Sequence, residues 1–137
     1  MIRIIYKILL MGVLCFMLIS CNLLVKELYL SVPPQLEAEL PPPFNQLEAS
    51  VSTAYPVPNP YDGTSADVTV QLIVTGPGAD KLYLNPGTVV IEKGFSVGLF
   101  TVSAIYDGLS ASNETVTITA KAVGYEEDSA TITISFP

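Results

Sequence analysis

Residues 87–136 decide the fold, and they read GTVVIEKGFSVGLFTVSAIYDGLSASNETVTITAKAVGYEEDSATITISF. Apolar and polar residues alternate in short segments, and each segment ends at a turn signal such as Lys93-Gly94 or Tyr106-Asp107-Gly108. Alternation at period two in runs rich in Val, Ile and Thr is typical of half-buried antiparallel strands. The stretch therefore predicts a series of consecutive strands.

The same alternation continues towards the N-terminus, where Asp67–Thr75 shows it most regularly. Short strands at a spacing of about 8–12 residues, separated by turn signals, are typical of a β-sandwich. We therefore predict one all-β domain, an antiparallel sandwich of about 7–8 strands over residues 27–137. The predicted strands are Glu27–Val32, Leu47–Thr53, Asp67–Thr75, Lys81–Leu84, Thr88–Glu92, Phe95–Tyr106, Thr115–Val123 and Ala130–Phe136.

One predicted strand changes phase. Phe100, Val102 and Ala104 alternate with each other, whereas Val97 and Leu99 are out of step with them. Glycine inside a strand often marks a β-bulge. A bulge at Gly98 is therefore expected.

The N-terminus has the features of a targeting segment. Arg3 and Lys7 precede an uncharged apolar run, Ile8–Ile19, which is too short to span a bilayer comfortably. The run ends in Leu18-Ile19-Ser20-Cys21, which resembles a bacterial lipobox. The resemblance implies a lipoprotein signal peptide over residues 1–20, cleavage before Cys21, and acyl chains on that cysteine that anchor the chain in a membrane. An ordinary secretory signal, or an uncleaved anchor, is the alternative.

The positions of the cysteines agree with this interpretation. Cys15 would leave with the signal peptide, so Cys21 would be the one cysteine of the mature chain, with no partner for a disulfide. Residues 21–26 would form the lipidated cysteine and a short tether, whose five residues after Cys21 reach at most about 17 Å. Asn22 follows the cysteine in place of Asp, which by resemblance to known sorting signals favours the outer over the inner membrane of the bacterial envelope.

The segment 33–60 contains most of the eleven prolines. Pro41-Pro42-Pro43 excludes a helix through this region, since proline lacks an N–H and clashes with the preceding turn. We expect an extended crossover here, followed by a long loop around Tyr55 and Tyr61. The segment could serve as a polyproline ligand for an aromatic groove, or it could protect a sheet edge and form turns.

The composition excludes several functions. The chain has no His and no Trp, which removes imidazole bases, Ser-His-Asp and Cys-His catalysis, and most zinc sites. Its net charge of −7 disfavours contact with a phosphate backbone, so we expect no nucleic-acid partner. No insertion that could form a catalytic cleft is evident, and we expect a protein that is not an enzyme.

Three stretches resemble bacterial extracellular repeat domains of the Calx-beta and immunoglobulin-like type. They read GTVVIEKG at 87–94, FTVSAIYDG at 100–108 and ETVTITAKAVGYEEDSATITI at 114–134. The resemblance implies an immunoglobulin-like sandwich. It also implies candidate Ca²⁺ ligands at Asp80 and Asp107, although Tyr106 stands where those domains have the first acid of a pair. The alternative is that these are solvated loop acids, as we expect for Glu126-Glu127-Asp128.

Two functional hypotheses follow. The first is a membrane-anchored, non-enzymatic lipoprotein that takes part in adhesion, envelope structure or an accessory interaction, with a protein or glycan partner. The second is a module that binds Ca²⁺ or carbohydrate, in which Tyr55, Tyr61 and Tyr106 would stack on sugars.

Overall fold

The computed structural model describes residues 26–39, 46–54, 57, 67–109 and 112–137. The predicted signal peptide, Cys21, the Pro41–Pro43 run, Tyr55 and Tyr61 lie outside these ranges. No helix in the described part of the chain is both long enough and apolar enough to cross a membrane.

The regular elements of the described residues are strands apart from one 3-10 turn, which confirms the predicted all-β class. The 3-10 turn, Ala79–Lys81, joins the fourth and fifth strands. The strands are β1 (Leu28–Ser31), β2 (Gln35–Glu37), β3 (Leu47–Thr53), β4 (Val68–Thr75), β5 (Leu82–Asn85), β6 (Thr88–Ile91), β7 (Val97–Ala104), β8 (Glu114–Lys121) and β9 (Asp128–Ser135).

Two sheets form the predicted sandwich. One has the strand order β1-β3-β7-β5, and the other has the order β2-β9-β8-β4-β6. Both bury alternate residues in a shared apolar core, because successive side chains of a strand point to opposite faces. The fully buried side chains include Val51, Phe100 and Val102 from the first sheet and Ile91, Ile118, Ile132 and Ile134 from the second.

Strand β2 was not predicted, since the sequence interpretation placed an extended crossover there. It is three residues long and buries only Leu36. It pairs in parallel with β9, with Leu36 opposite Ile134, so the second sheet is mixed rather than purely antiparallel. A strand this short has no alternation of its own, and its partner lies about a hundred residues further along the chain, so no local pattern indicates it.

The predicted bulge at Gly98 is wrong. Strand β7 pairs one-to-one with β3 through this point, with Ser52 opposite Val97, Val51 opposite Gly98 and Ser50 opposite Leu99. Gly98 faces the core in step with Phe100, and Val97 and Leu99 face outward. The apparent change of phase arises because the inward position holds a residue without a side chain.

Two residues of predicted loops have structural roles. Val57, in the proline-rich segment, is 1% exposed, and its N–H donates to the carbonyl of Phe95 at 2.8 Å. Asp128, predicted to lie in a solvated turn, begins β9. One of its carboxylate oxygens, Oδ2, accepts the N–H of Leu30 in β1 at 2.8 Å.

The sandwich has two ends. The entry end contains Lys26, the turn 92–96 between β6 and β7, and the turn 122–127 between β8 and β9. The far end contains the turn 76–81 and the residues that follow β7 and β9. The eight residues of β7 separate the ends by about 26 Å, since a strand rises about 3.3 Å per residue.

Candidate functional site

An ionic cluster lies at the far end, and we call it the Lys81 corner. Its members are Lys81, Tyr106, Asp107, Glu114 and Phe136. Lys81 ends the 3-10 turn after β4, Tyr106 and Asp107 follow β7, Glu114 begins β8 and Phe136 follows β9. Four separate parts of the chain therefore meet at this corner.

Two glycines bring the turn 76–81 close to β8. Gly76 has a positive φ of 109°, and a Cβ on it would lie 2.8 Å from the carbonyl oxygen of Thr115. A Cβ on Gly78 would lie 2.9 Å from Cγ2 of Val116. The carbonyl of Lys81 then accepts the N–H of Ile105 at 3.0 Å, which places the lysine beside the residues that follow β7.

Lys81 is the electrostatic centre of the corner. Its Nζ donates to both carboxylate oxygens of Glu114, at 2.8 and 3.0 Å, and lies 4.0 Å from Oδ2 of Asp107. Its side chain is only 13% exposed, and Nζ is 5.5 Å from the ring centroid of Phe136. The hydrogen bond to Glu114 raises the pKa of Lys81 against the opposing effect of burial, and the charges of Glu114, Asp80 and Asp107 raise it further.

The two predicted calcium ligands lie around this ammonium group. Asp80 is exposed on the 3-10 turn, and its charge acts on Lys81, as does that of Asp107. In the described residues no three or more His, Cys, Asp or Glu side chains are grouped so that they could hold a metal ion. Both acids thus lie at the far end of the sandwich, where their charges act on Lys81. Calcium binding stays a prediction.

Of the three tyrosines predicted to contact a ligand, only Tyr106 lies in the described ranges. Its ring is partly buried, with its centroid 5.9 Å from that of Phe136 at an interplanar angle of 40°. Beside Phe136 lies a concavity of about 490 Å³, which is lined by Glu37, Ala38, Glu39, Ser135, Phe136 and Pro137. Glu37 and Glu39 supply the charged groups of this lining, and Phe136 is its one aromatic side chain.

A second candidate site is the outward face of the β1-β3-β7-β5 sheet, which we call the four-strand face. Val97 and Leu99 protrude from the entry-end half of β7 at 47% and 57% exposure. Tyr29 of β1 lies level with Val97, and Tyr83 of β5 lies opposite Ser103 nearer the far end, at 47% and 55% exposure. Glu48 is the one charged residue at the outward positions of these strands. The remaining outward positions hold Ser31, Ser50, Ser52, Asn85, Thr101 and Ser103.

The serines leave a shallow floor beside the apolar residues. Ser50 lies opposite Leu99, and Ser52 lies between Tyr29 and Val97 in the sheet register. A concavity of about 400 Å³ opens here, lined by Ser31, Val32, Pro33, Glu48, Ala49, Ser50, Val97 and Leu99. Sequence reasoning missed this face because it interpreted Val97 and Leu99 as a disturbance of the core pattern.

The opposite outer face is different in chemistry. Threonine and serine hydroxyls line neighbouring strands of the β2-β9-β8-β4-β6 sheet, with Thr119 Oγ1 2.8 Å from Ser129 Oγ. Thr75, Thr117 and Thr131 lie side by side across β4, β8 and β9. Threonine is common on exposed strands. Ile73 and Val90 also protrude from this face, at 39% and 48% exposure.

No protein-family model and no curated protein sequence matches the chain. Solved structures do share its fold. The apo form of the Calx CBD1 domain is 14% identical, with a TM-score of 0.50 over 82% of this chain and 98% of that one. The E. coli chaperone DraB is 11% identical, with a TM-score of 0.48 over 80% of this chain and 54% of that one. The periplasmic chaperone SfaE is 10% identical, with a TM-score of 0.48, over 80% of this chain and 55% of that one.

The chain thus spans about half the length of the chaperones it resembles. At these identities the likeness concerns the fold alone. Together with the two sheets described above, the likeness to the Calx CBD1 domain defines the class of the protein as an immunoglobulin-like β-sandwich. Function has to be argued from the surfaces described above.

Proposed function

We propose that this chain is a lipid-anchored, non-enzymatic interaction module of the bacterial cell envelope, and that it binds a protein partner through the four-strand face. The observation that carries the proposal is the pair of protruding apolar side chains, Val97 and Leu99, on a face whose strands hold one charged outward residue, Glu48. A second acid, Glu27, lies at the β1 margin, where it accepts the hydroxyl of Tyr29 at 2.7 Å. Depletion of charge around aromatic and aliphatic anchors is typical of the centre of a protein interface.

The size of the face supports a modest affinity. Four strands spaced about 4.8 Å apart, over the length of β7, cover roughly 400 Å². Only part of this area is apolar, because serine, threonine and asparagine hold most of the other outward positions. A standard interface buries about 800 Å² on each partner, so this face alone would give a weak or transient contact.

Membrane anchoring would compensate for that weakness, because tethering raises the effective concentration of a partner in the same membrane. The anchor is supported by the Leu18–Cys21 lipobox pattern and by the short tether of residues 22–26. We place the anchored chain in the outer membrane rather than the inner one.

Site-specific photo-crosslinking in cells tests the proposed face. A photoreactive phenylalanine analogue at position 99 is expected to give a discrete crosslinked product with an envelope protein. The matched control is position 73, since Ile73 is 39% exposed on the opposite outer face. Equal crosslinking from both positions, or none from position 99, would overturn the proposed face.

The anchor is tested separately. Cys21→Ala is expected to prevent acylation and to prevent cleavage by the lipoprotein signal peptidase, and mass spectrometry of the intact protein detects both changes. A Cys21→Ala protein that is still cleaved at residue 20 and still carries the same acyl mass would contradict the lipid anchor.

A further inference from the structure

The chain enters the sandwich in direct contact with one of its turns. The carbonyl of Lys26 accepts the N–H of Glu126 at 2.7 Å, and the carbonyl of Glu126 accepts the N–H of Leu28 at 3.1 Å. The Nζ of Lys26 also lies 5.5 Å from the ring centroid of Tyr125. The turn 122–127 is therefore fixed beside the point where the tether arrives.

The second turn of the entry end is tied to the same strand. Leu28 of β1 pairs with Thr53 of β3, and the N–H of Thr53 donates to the carbonyl of Ser96 at 2.8 Å. Gly94, with a φ of 92°, closes this turn, in which the N–H of Phe95 donates to Glu92 at 3.0 Å. The turns 92–96 and 122–127 are thus both fixed at the entry end, on either side of the start of β1.

Each of these turns presents an apolar side chain to solvent. Val123 is 101% exposed, and Phe95 is 61% exposed. Neither residue is needed by the core, and a single exposed apolar residue requires no explanation. Phe95 and Val123, however, both lie at the end of the domain from which the tether leaves. That tether reaches at most about 17 Å, which is less than the length of the sandwich, so it would keep this end near the membrane.

We propose that Phe95 and Val123 insert into the lipid surface and, with the anchor, hold the sandwich upright on the membrane. This inference rests on the proposed lipid anchor at Cys21. Three contact points define a plane, so the Lys81 corner would lie on the side away from the membrane. The four-strand face would then stand roughly perpendicular to the membrane and be open to a neighbouring protein.

The charges of the entry end indicate how the contact is made. Lys93 is accompanied by Glu92, and Lys121 is paired with Glu127 at 2.9 Å. These turns therefore offer no excess of positive charge to anionic headgroups. The contact is apolar insertion, and anionic lipid is not expected to strengthen it.

Tryptophan fluorescence tests this inference, because the chain has no Trp of its own. The full-length lipidated protein would carry Phe95→Trp or Val123→Trp and be reconstituted in phosphatidylcholine vesicles with and without brominated acyl chains. Leu109→Trp is the matched control, since Leu109 is 86% exposed at the far end. Bromine is expected to quench Phe95→Trp and Val123→Trp at least twofold and to leave Leu109→Trp unchanged.

The outcomes separate the inference from the proposal on which it rests. Protein that floats with the vesicles but is quenched equally, or not at all, at positions 95, 123 and 109 overturns the inference and leaves the anchor intact. Protein that does not float with the vesicles overturns the anchor and the inference together. Quenching at position 95 that requires added phosphatidylglycerol contradicts apolar insertion and indicates electrostatic adsorption.

Discussion

Position 98 has room only for glycine, because the side chain of Val89 in β6 packs directly against its Cα. A Cβ on Gly98 would overlap Cγ1 of Val89 and lie 3.3 Å from Cγ1 of Ile91. Gly98→Ala is therefore expected to lower the free energy of unfolding by about 1–3 kcal/mol, the usual cost of overpacking a core. Urea denaturation of the two proteins measures the difference.

Gly87→Ala is the control for this substitution. A Cβ on Gly87 meets no atom within 4 Å, and its backbone is not left-handed. This change should be neutral or slightly stabilising. If both alanines cost the same, the close approach of the sheets at Gly98 is not the reason for its glycine.

Lys81 is expected to stabilise the far end through its charge. Lys81→Met keeps much of the length of the side chain but removes the 2.8 Å ion pair with Glu114 and the 4.0 Å contact with Asp107, so the melting temperature should fall. Lys121→Met is the control, because the Lys121–Glu127 pair is exposed at 49% and 56% and such surface pairs contribute little. Equal shifts in the two variants would refute a special role for the Lys81 corner.

The pH dependence of the same pair of proteins has a defined sign. The pKa of Lys81 is raised above its ordinary value of 10.5, chiefly by the hydrogen bond to Glu114. The lysine therefore adds stability at every pH below the ordinary value, and this contribution disappears as the pH rises through the folded-state pKa. The difference in melting temperature between wild type and Lys81→Met should stay constant from about pH 7 to 9.5 and shrink above pH 10.5. A difference that instead grows above that pH would contradict the direction of the shift.

Calcium is expected to have no effect on stability. The ammonium group of Lys81 lies 4.0 Å from Asp107, and its positive charge would oppose a bound cation beside that acid. A ligand that binds only the folded state raises the melting temperature, so calorimetry with and without millimolar Ca²⁺ is a direct measurement. A rise that Asp107→Asn removes would establish the calcium hypothesis and contradict this expectation.

At the scale of elements, one carboxylate joins the two sheets at the β1 edge. Asp128 accepts the N–H of Leu30 through Oδ2 at 2.8 Å and the N–H of Ser129 through Oδ1 at 2.9 Å. A hydrogen bond to a charged group contributes about 1.5–3 kcal/mol, so Asp128→Ala should cost about 1.5 kcal/mol at this partly buried site. Thermal unfolding measures the loss, and Glu127→Ala, which removes the neighbouring exposed acid, should cost much less.

The same contacts protect an exposed strand. The N–H groups of Leu28 and Leu30 in β1 point away from β3, and they are satisfied by Glu126 and Asp128. An unpaired edge is a template for association with another chain. The acidic run 126–128, expected from the sequence to be only a solvated face, therefore also closes the sandwich along this edge.

Across the whole molecule, the sequence predicted those strands whose own residues alternate between apolar and polar. Strands β4, β8 and β9 were predicted because each alternates over eight residues and buries its own apolar side. Strand β2 and the Lys81–Glu114 pair depend on contacts between distant parts of the chain, which leave no periodic signal. The outward position of Val97 and Leu99 was missed because Gly98 offers no side chain from which the phase can be determined.

The proposed anchor and the four-strand face lead to a joint prediction. A face of roughly 400 Å² is too small for a stable complex between free proteins, so binding should depend on both partners being held in one membrane. Replacing residues 1–21 with a secretory signal that is not lipidated is therefore expected to reduce crosslinking from position 99 at least tenfold, at equal amounts of protein in the envelope. Raising the concentration of the soluble form should restore the crosslink, because only its effective concentration has changed. Crosslinking that is unaffected by loss of the lipid would show that the face binds tightly by itself, and crosslinking that no concentration restores would show that the lipid, rather than Val97 and Leu99, makes the contact.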